Sequence, residues 1–429
     1  MIWALVAVFI STIIIGVPIA FTLGISGLVS LLAGDLGVTP LIFIPQRVFR
    51  AMDSFPMLAV PFFVLAGELM GISITNKLVD FAKSLVGRIR GGLSYVTVIA
   101  CMFFGGVTGV GIGDATAIGS ILIPAMKKEG YDGGFAASVV AASSVMGPII
   151  PPSVPMIIFA MAVSGDISIS SLFLGGIIPG IMLGLGFMVT CYIIAKKRKY
   201  AISEEPFSFV KAIKTFKSAV WALMMPIIIV GGMLSGMFTA TEASVIAVIY
   251  ALVVGFFITK DLKLAYLPRF FIRSGVVTSV VLFLLGMASV VSWIITVNQV
   301  PTMIVQFVSG LTTSPTIFMM IVAVLLLIIG CVIDPGPAII MLAPILMPVA
   351  VALGVNPIHF AIVFIVAIEI GMITPPVGVL LFVSAGISEE KFETVIVNVI
   401  PFLISAVAVL ILLIMFPQLV TYFPSLTGR

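Results

Sequence analysis

Long apolar runs dominate the chain, broken by short polar or basic stretches. The runs are continuous, without the period-two alternation of a membrane β-barrel. Each matches a membrane helix, which needs about 20 apolar residues, so the length predicts roughly 10–14 membrane segments. The first run starts at Met1–Ile2–Trp3 and reaches Leu32. It lacks a basic leader and a small-residue cleavage site, and reads as a retained first membrane helix. Four stretches interrupt the pattern. Phe104–Asp114 carries glycine at 105, 106, 109, 111 and 113, which predicts a turn where a helix interior would otherwise run. Gly147–Pro155 carries Pro148, Pro151, Pro152 and Pro155, which must interrupt the helical ladder. Gly330–Pro337 and Gly371–Gly378 are similar breaks further on.

Composition agrees with a lipid environment. Of 429 residues, 61% are hydrophobic and 9% charged, with a mean hydropathy of +1.35. Soluble domains are about 45–50% apolar and about 25% charged. A soluble enzyme, a nucleic-acid binder and a disordered scaffold are excluded. Cys101, Cys191 and Cys331 lie in apolar runs without metal-ligand spacing and read as small buried hydrophobes. His359 is the one histidine, which argues against a histidine-built metal or haem site.

Charge placement sets the expected orientation. Lys196–Lys199, the group Lys211, Lys214 and Lys217, and the group Lys260, Lys263, Arg269 and Arg273 mark cytoplasmic loops by the positive-inside rule. Arg88, Arg90, Lys127 and Lys128 flank the segment 91–126 on one side. A segment with both ends on one side and a glycine turn in its middle predicts a re-entrant hairpin. From Ser274 to Glu390 there is no Lys or Arg, and the ends carry only Arg429. Both termini are therefore expected outside, with a basic linker at 196–218 inside.

The halves repeat their punctuation in order. Asp114 and Pro124 match Asp334 and Pro344; Gly147, Pro151 and Pro152 match Gly371, Pro375 and Pro376; Pro179 matches Pro401. Two halves joined by a cytoplasmic linker, with both ends outside, each cross an odd number of times and are inverted. Inverted repeats are a transporter signature, with the site where the repeats meet. Unwound backbone at membrane depth survives only where protein buries it or water lines it. It frees carbonyl oxygens for a hard cation such as Na⁺ and exposes helix N-termini that favour an anion.

The motifs Asp53–Phe63 with Leu65–Glu68, Thr108–Gly109 through Asp114–Ala117, Ile150–Ser153, Thr239–Ala243 and Gly371–Gly378 span most of the chain. With them the chain resembles the large membrane subunit of tripartite ATP-independent periplasmic (TRAP) transporters. The resemblance implies an all-α, polytopic, elevator-type transporter in the bacterial inner membrane, driven by a Na⁺ gradient. It implies uptake of an organic acid, such as a C4-dicarboxylate, sialic acid or sugar acid. It also implies two partners, a periplasmic substrate-binding protein and a separate small four-helix membrane subunit. The family's first tip commonly reads Ser-Gly-Ser; here Thr108–Gly109–Val110 keeps one hydroxyl, and at Val110 only a carbonyl contact would survive.

One tip plus one break per half gives two expected Na⁺ sites. The first comprises Thr108, Gly109, Ser144, Gly147, Ile150 and Pro152, and the second Gly330, Asp334, Gly371, Thr374 and Pro376. Thr108, Asp114, Ser153 and Thr374 are expected to face substrate. Asp114 and Asp334 occupy equivalent tip positions on this reading, and Asp334–Pro335 has the form of an N-cap before a first-turn proline. Capping alone and capping with cation electrostatics both stand. Ser143 and Ser144 either ligate or bond back to the preceding turn. Glu242 caps its helix, Glu68 and Glu369 are buried acids without a sequence partner, and Glu369 is placed to tune the second site. Asn298 and Gln299 suit a helix joint. Arg47 and Arg50 suit a lipid interface, the small subunit or substrate.

The division expected is a first repeat at 1–195, with scaffold helices at about 1–90 and a transport core at 91–195. A second repeat follows at 219–429, with scaffold to about 311 and transport core from 312. No organic cofactor and no enzymatic activity are expected: paired carboxylates, a Ser/His/Asp set and a Walker motif are missing from the sequence. A stand-alone Na⁺- or proton-coupled carboxylate symporter or antiporter is the alternative.

Overall fold

The computed structural model describes the chain except residues 35–38, 54, 87–88, 164–166, 201–207, 301, 304–305, 307–313 and 427–429. Ser54 and Arg88, the middle of the basic linker, the expected boundary at 312 and Arg429 lie outside the described residues. The rest is helical, with no strand among the described residues. The first half builds α1 (Ile2–Ile14), α2 (Ile19–Leu32), α3 (Thr39–Met52), α4 (Ala59–Val86), α5 (Gly92–Thr108), α6 (Gly111–Lys128), α7 (Gly133–Ser144), α8 (Val154–Ala162) and α9 (Ile169–Arg198). The second builds α10 (Phe209–Leu234), α11 (Ala240–Val253), α12 (Leu267–Val297), α13 (Pro315–Gly330), α14 (Pro335–Ala352), α15 (Pro357–Gly371), α16 (Val379–Ser388), α17 (Phe392–Met415) and α18 (Gln418–Leu426).

Helix starts follow local chemistry. Asp132 accepts from the Phe135 N–H, Ser153 from Met156, Ser168 from Ser171, and Asn356 from Ile358 and His359. Thr239 and Glu242 close a full capping box at α11, as the sequence led us to expect. Asn298 ends α12, its side-chain amide donating to the Ile294 carbonyl at 2.8 Å.

Six helices among the described residues are long and apolar enough to cross a membrane, or seven if the two halves of α4 form one span. That is fewer than the 10–14 expected, because much of the apolar sequence is cut into shorter pieces. α5 and α13 are hairpin arms, and the pairs α7/α8 and α15/α16 are helices broken in mid-course. Lys211, Lys214 and Lys217 of the expected linker lie in the first turns of α10.

Two groups of helices emerge. Around α4 pack α5, α10, α11 and α12, with α2 and α3 against α12. The other group centres on α7 and α15. α7 packs on α5, α6, α16 and α17, and α15 on α9, α13 and α14. Every residue of α7, and every residue from His359 to Gly371 in α15, is buried. By contrast, α12 exposes Val276 and Val280 and α1 buries only Leu5, apolar surface that suits lipid. Long-range polar ties link the halves. Lys127 donates to the Ser388 carbonyl at 2.8 Å and pairs with Glu390 at 3.3 Å. Arg198 donates to Asn398 at 2.5 Å and, within the first half, pairs with Asp132 at 3.4 Å.

Candidate functional site

Each half carries a helical hairpin beside a broken helix. α5 and α6 turn over at Gly109 and Val110, and α13 and α14 at Cys331–Asp334. The first turn is tighter than the glycine content predicted: Gly105 and Gly106 stay within α5. They serve close approach instead. A Cβ on Gly105 would lie 2.6 Å from the Gly147 Cα, and one on Gly106 3.1 Å from Pro226. The second half has the matching pair, where a Cβ on Gly371 would lie 2.6 Å from the Gly330 Cα.

Each tip also bonds its break. The Val154 N–H donates to the Gly109 carbonyl at 3.5 Å, and the Gly378 N–H to the Cys331 carbonyl at 3.0 Å. The Pro151–Pro152 and Pro375–Pro376 peptides are both cis. Within the breaks, the carbonyls of Gly147, Ile150, Pro152, Gly330, Thr374 and Pro376 accept no hydrogen bond among the described residues. Those of Ser144 and Gly371 do accept one, from Gly147 and Thr374. Freed carbonyls of this kind match the oxygen preference of a hard cation.

The acids are disposed unequally. Asp114 sits inside the first turn of α6, fully buried, and its Oδ1 accepts from the Thr108 hydroxyl. Its Oδ2 has no partner among the described residues and lies over Gly147, where a Cβ would be 2.1 Å away. Asp334 is the N-cap residue of α14, yet its side chain makes no capping bond and is exposed. Aligned by helix starts, Gly111 with Pro335, Asp334 falls opposite Val110 and Asp114 opposite Ala338. The expected equivalence of the two aspartates is therefore corrected: a run of matched spacings cannot detect a short insertion in one tip. Glu369, in the last turn of α15, is fully buried with neither carboxylate oxygen partnered. Glu68 does have a partner, Arg273, at 3.1 Å.

A cavity of about 320 Å³ opens where both hairpin tips and both breaks meet α12. Gly109–Ile112 and Asp334–Pro337 line it from the tips, with Glu369 and Met372 behind and Val276–Leu284 of α12 as an apolar wall. Three helix N-termini reach it, those of α6 at Gly111, α8 at Val154 and α14 at Pro335. N-terminal N–H groups and the helix dipole favour an anion. No lysine, arginine or histidine lines this cavity among the described residues, while Asp334 and Glu369 do.

The expected residues divide accordingly. Gly109 and Asp334 are on the wall, and Gly147, Ile150, Pro152, Gly330, Gly371 and Pro376 lie in the bordering backbone. The hydroxyls face inward to protein. Thr108 bonds Asp114, Ser144 donates to Val140 at 2.8 Å, Thr374 to Ile370 at 2.9 Å, and Ser153 to the Pro148 carbonyl. Of the pair, Ser143, not Ser144, has a hydroxyl without a partner among the described residues. Glu369 was not placed in either cation site from sequence, although an acid two residues before an unwound glycine is a signal.

This is the arrangement of a polytopic helical transporter. The Alcanivorax borkumensis YdaH transporter shares the fold, with a TM-score of 0.64 at 14% identity over 96% of this chain and 97% of that one. The family described as tripartite ATP-independent periplasmic transporter, DctM component, matches residues 6–419, and the chain belongs to it. Its relatives include the C4-dicarboxylate TRAP transporter large permease protein DctM of Pseudomonas aeruginosa, 36% identical over 95% of this chain and 92% of that protein. The sialic acid TRAP transporter large permease protein SiaM of Vibrio cholerae is 36% identical over 96% and 95%. The isethionate TRAP transporter permease protein DctMQ of Oleidesulfovibrio alaskensis is 38% identical over 96% of this chain, which spans 64% of that longer protein.

Proposed function

We propose that the chain is the large membrane subunit of a Na⁺-driven importer of organic acids in a bacterial inner membrane. The observation that carries this reading is a cavity reached by three helix N-termini and bordered by two breaks with free carbonyls. In this reading two inverted repeats supply the frame, with both termini outside. Helices α1–α4 and α10–α12 form the scaffold, and the hairpins α5/α6 and α13/α14 with the broken helices form the moving core. Na⁺ binds at Gly147, Ile150 and Pro152 beside Thr108, Gly109, Ser144 and Asp114, and at Gly330, Thr374 and Pro376 beside Gly371 and Asp334. The bound charge offsets Asp334 and Glu369, and the anion then docks on the N-termini of α6, α8 and α14. The core slides along the apolar face of α12 and carries anion and cations across together. A periplasmic binding protein delivers the acid and a small membrane subunit braces the scaffold. The relatives named for C4-dicarboxylate, sialic acid and isethionate point to a carboxylate or sulfonate substrate.

The test is thermal stability of the purified protein in NaCl against KCl at equal ionic strength. A ligand at about 100 times its dissociation constant adds about 2.7 kcal/mol. A Na⁺-specific rise that Asp334→Asn weakens is expected. No Na⁺ effect, together with uptake into liposomes driven by a pH gradient alone, would assign the coupling to protons instead.

A further inference from the structure

A second cavity, of about 440 Å³, adjoins the first along α12. Leu284 lines the first and Leu285 the second, and Ile340 of α14 lines both. α8 runs between them, from Val154 at the first to Met161 and Ala162 at the second. Nine residues of helix span about 13 Å, which sets the distance between the two. The chemistry differs sharply. The central cavity has two acids on its wall and no cationic side chain among the described residues, whereas the second holds Arg47 of α3.

Arg47 lies over the Trp293 ring, its guanidinium carbon 4.7 Å from the centroid. It makes no ion pair with a carboxylate among the described residues. Stacking on an indole face fixes the guanidinium plane and leaves its edge N–H groups for a bidentate acceptor. Ser289, Ser292 and Thr296 share one face of α12 and line the same cavity; Ser289 and Thr296 donate to the Gly286 and Ser292 carbonyls at 2.7 and 2.8 Å. A fixed guanidinium on the wall of a polar cavity suits a carboxylate or sulfonate, which accepts hydrogen bonds at every oxygen.

We propose that the Arg47 cavity is a binding subsite for the organic anion, occupied before the anion passes to the central cavity. This rests on the importer reading above. Arg47 supplies the positive charge that the central cavity lacks, and so raises the local concentration of the acid next to a site that otherwise repels it. Walls from α3 and α12 on one side and α8 and α14 on the other place the subsite across the two helix groups. Sliding of one group on the other would pull it apart and release the acid.

Trp293 is a built-in reporter. The chain has three tryptophans, and Trp3 and Trp221 are exposed, so Trp3→Phe with Trp221→Phe leaves it alone without disturbing the core. The experiment follows Trp293 fluorescence of the full chain in phosphatidylcholine nanodiscs. Succinate, N-acetylneuraminate and isethionate are titrated against chloride at constant Na⁺ and ionic strength. A saturable change with at least one acid is expected. Arg47→Gln should weaken it by about tenfold or more, and Arg47→Lys should restore part of it. The Na⁺-specific rise in melting temperature should persist in Arg47→Gln, which also shows that the variant is folded. No saturable response to any of the three, an unchanged response in Arg47→Gln, or a response only to added phosphatidylglycerol overturns the subsite; the last would make Arg47 a lipid contact. An Arg47-dependent response in a protein without a Na⁺ effect leaves the subsite standing and removes the Na⁺ reading of the central site.

Discussion

The two hairpin tips share a backbone plan but treat their acids in opposite ways. In the first half Asp114 is folded inward, bonded to Thr108 and pressed onto Gly147. In the second, Asp334 stands free on the cavity wall and Glu369 is buried behind it without a partner. The difference is physical as well as positional. A carboxylate sealed in protein must be held by hydrogen bonds or by a cation, whereas one open to a cavity can be solvated until a ligand arrives. On the importer reading, the second tip is the one that answers a cation.

The sharpest way to break this comparison is at the glycine contacts both halves share. Gly371→Ala sets a Cβ 2.6 Å from the Gly330 Cα, backbone against backbone, so something rigid has to move. A loss of about 3 kcal/mol is expected, read as a fall in melting temperature and in monodisperse yield. An unchanged melting temperature would mean the second tip does not lie on its break.

Thr108→Val comes next. It removes the donor to a fully buried carboxylate and should cost about 2 kcal/mol, with Thr108→Ser largely restoring it. The control in the other half is Asp334→Asn. That side chain makes no capping bond, so its stability cost should stay below about 0.5 kcal/mol while the Na⁺ response falls. Equal costs at the two tips would erase the distinction between them.

Glu369→Gln tests the unpartnered acid. Removing a buried charge that nothing offsets should raise stability in KCl by about 1 kcal/mol and shrink the further gain from Na⁺. Destabilisation in KCl would show that Glu369 has a partner after all. Smallest of all is Arg273→Gln, which opens the Glu68 pair between α12 and α4. The Arg273 side chain is 58% exposed, so a cost of at most about 1 kcal/mol is expected, fading with salt in the melting curves.

Much of the fold was legible because the strongest signals were local. Pro148, Pro151 and Pro152, and Pro375 and Pro376, cannot continue a helix, and both breaks fall at them. The capping box at Thr239–Glu242 is likewise contained in four residues. The glycines of the first hairpin were harder. Glycine both permits a turn and permits close packing, and at Gly105 and Gly106 the second use holds, with partners at Gly147 and Pro226. Glu68 read as an unpaired acid because Arg273 lies on a distant helix. Of the two uses open to Ser144, ligation or a bond to the preceding turn, it makes the second, and Thr374 does the same.

The sequence by itself determined that lipid is the solvent, where the helices start and break, and that two halves carry similar breaks. These follow from hydropathy, from the missing N–H of proline and from side chains that cap their own turn. Only the tertiary structure decided that the four breaks meet at one cavity and which carboxylates go without partners. It also decided that Arg47 stacks on Trp293 beside the neighbouring cavity. Those outcomes depend on contacts between residues up to hundreds of positions apart, and the packing of α4, α7, α12 and α15 sets them.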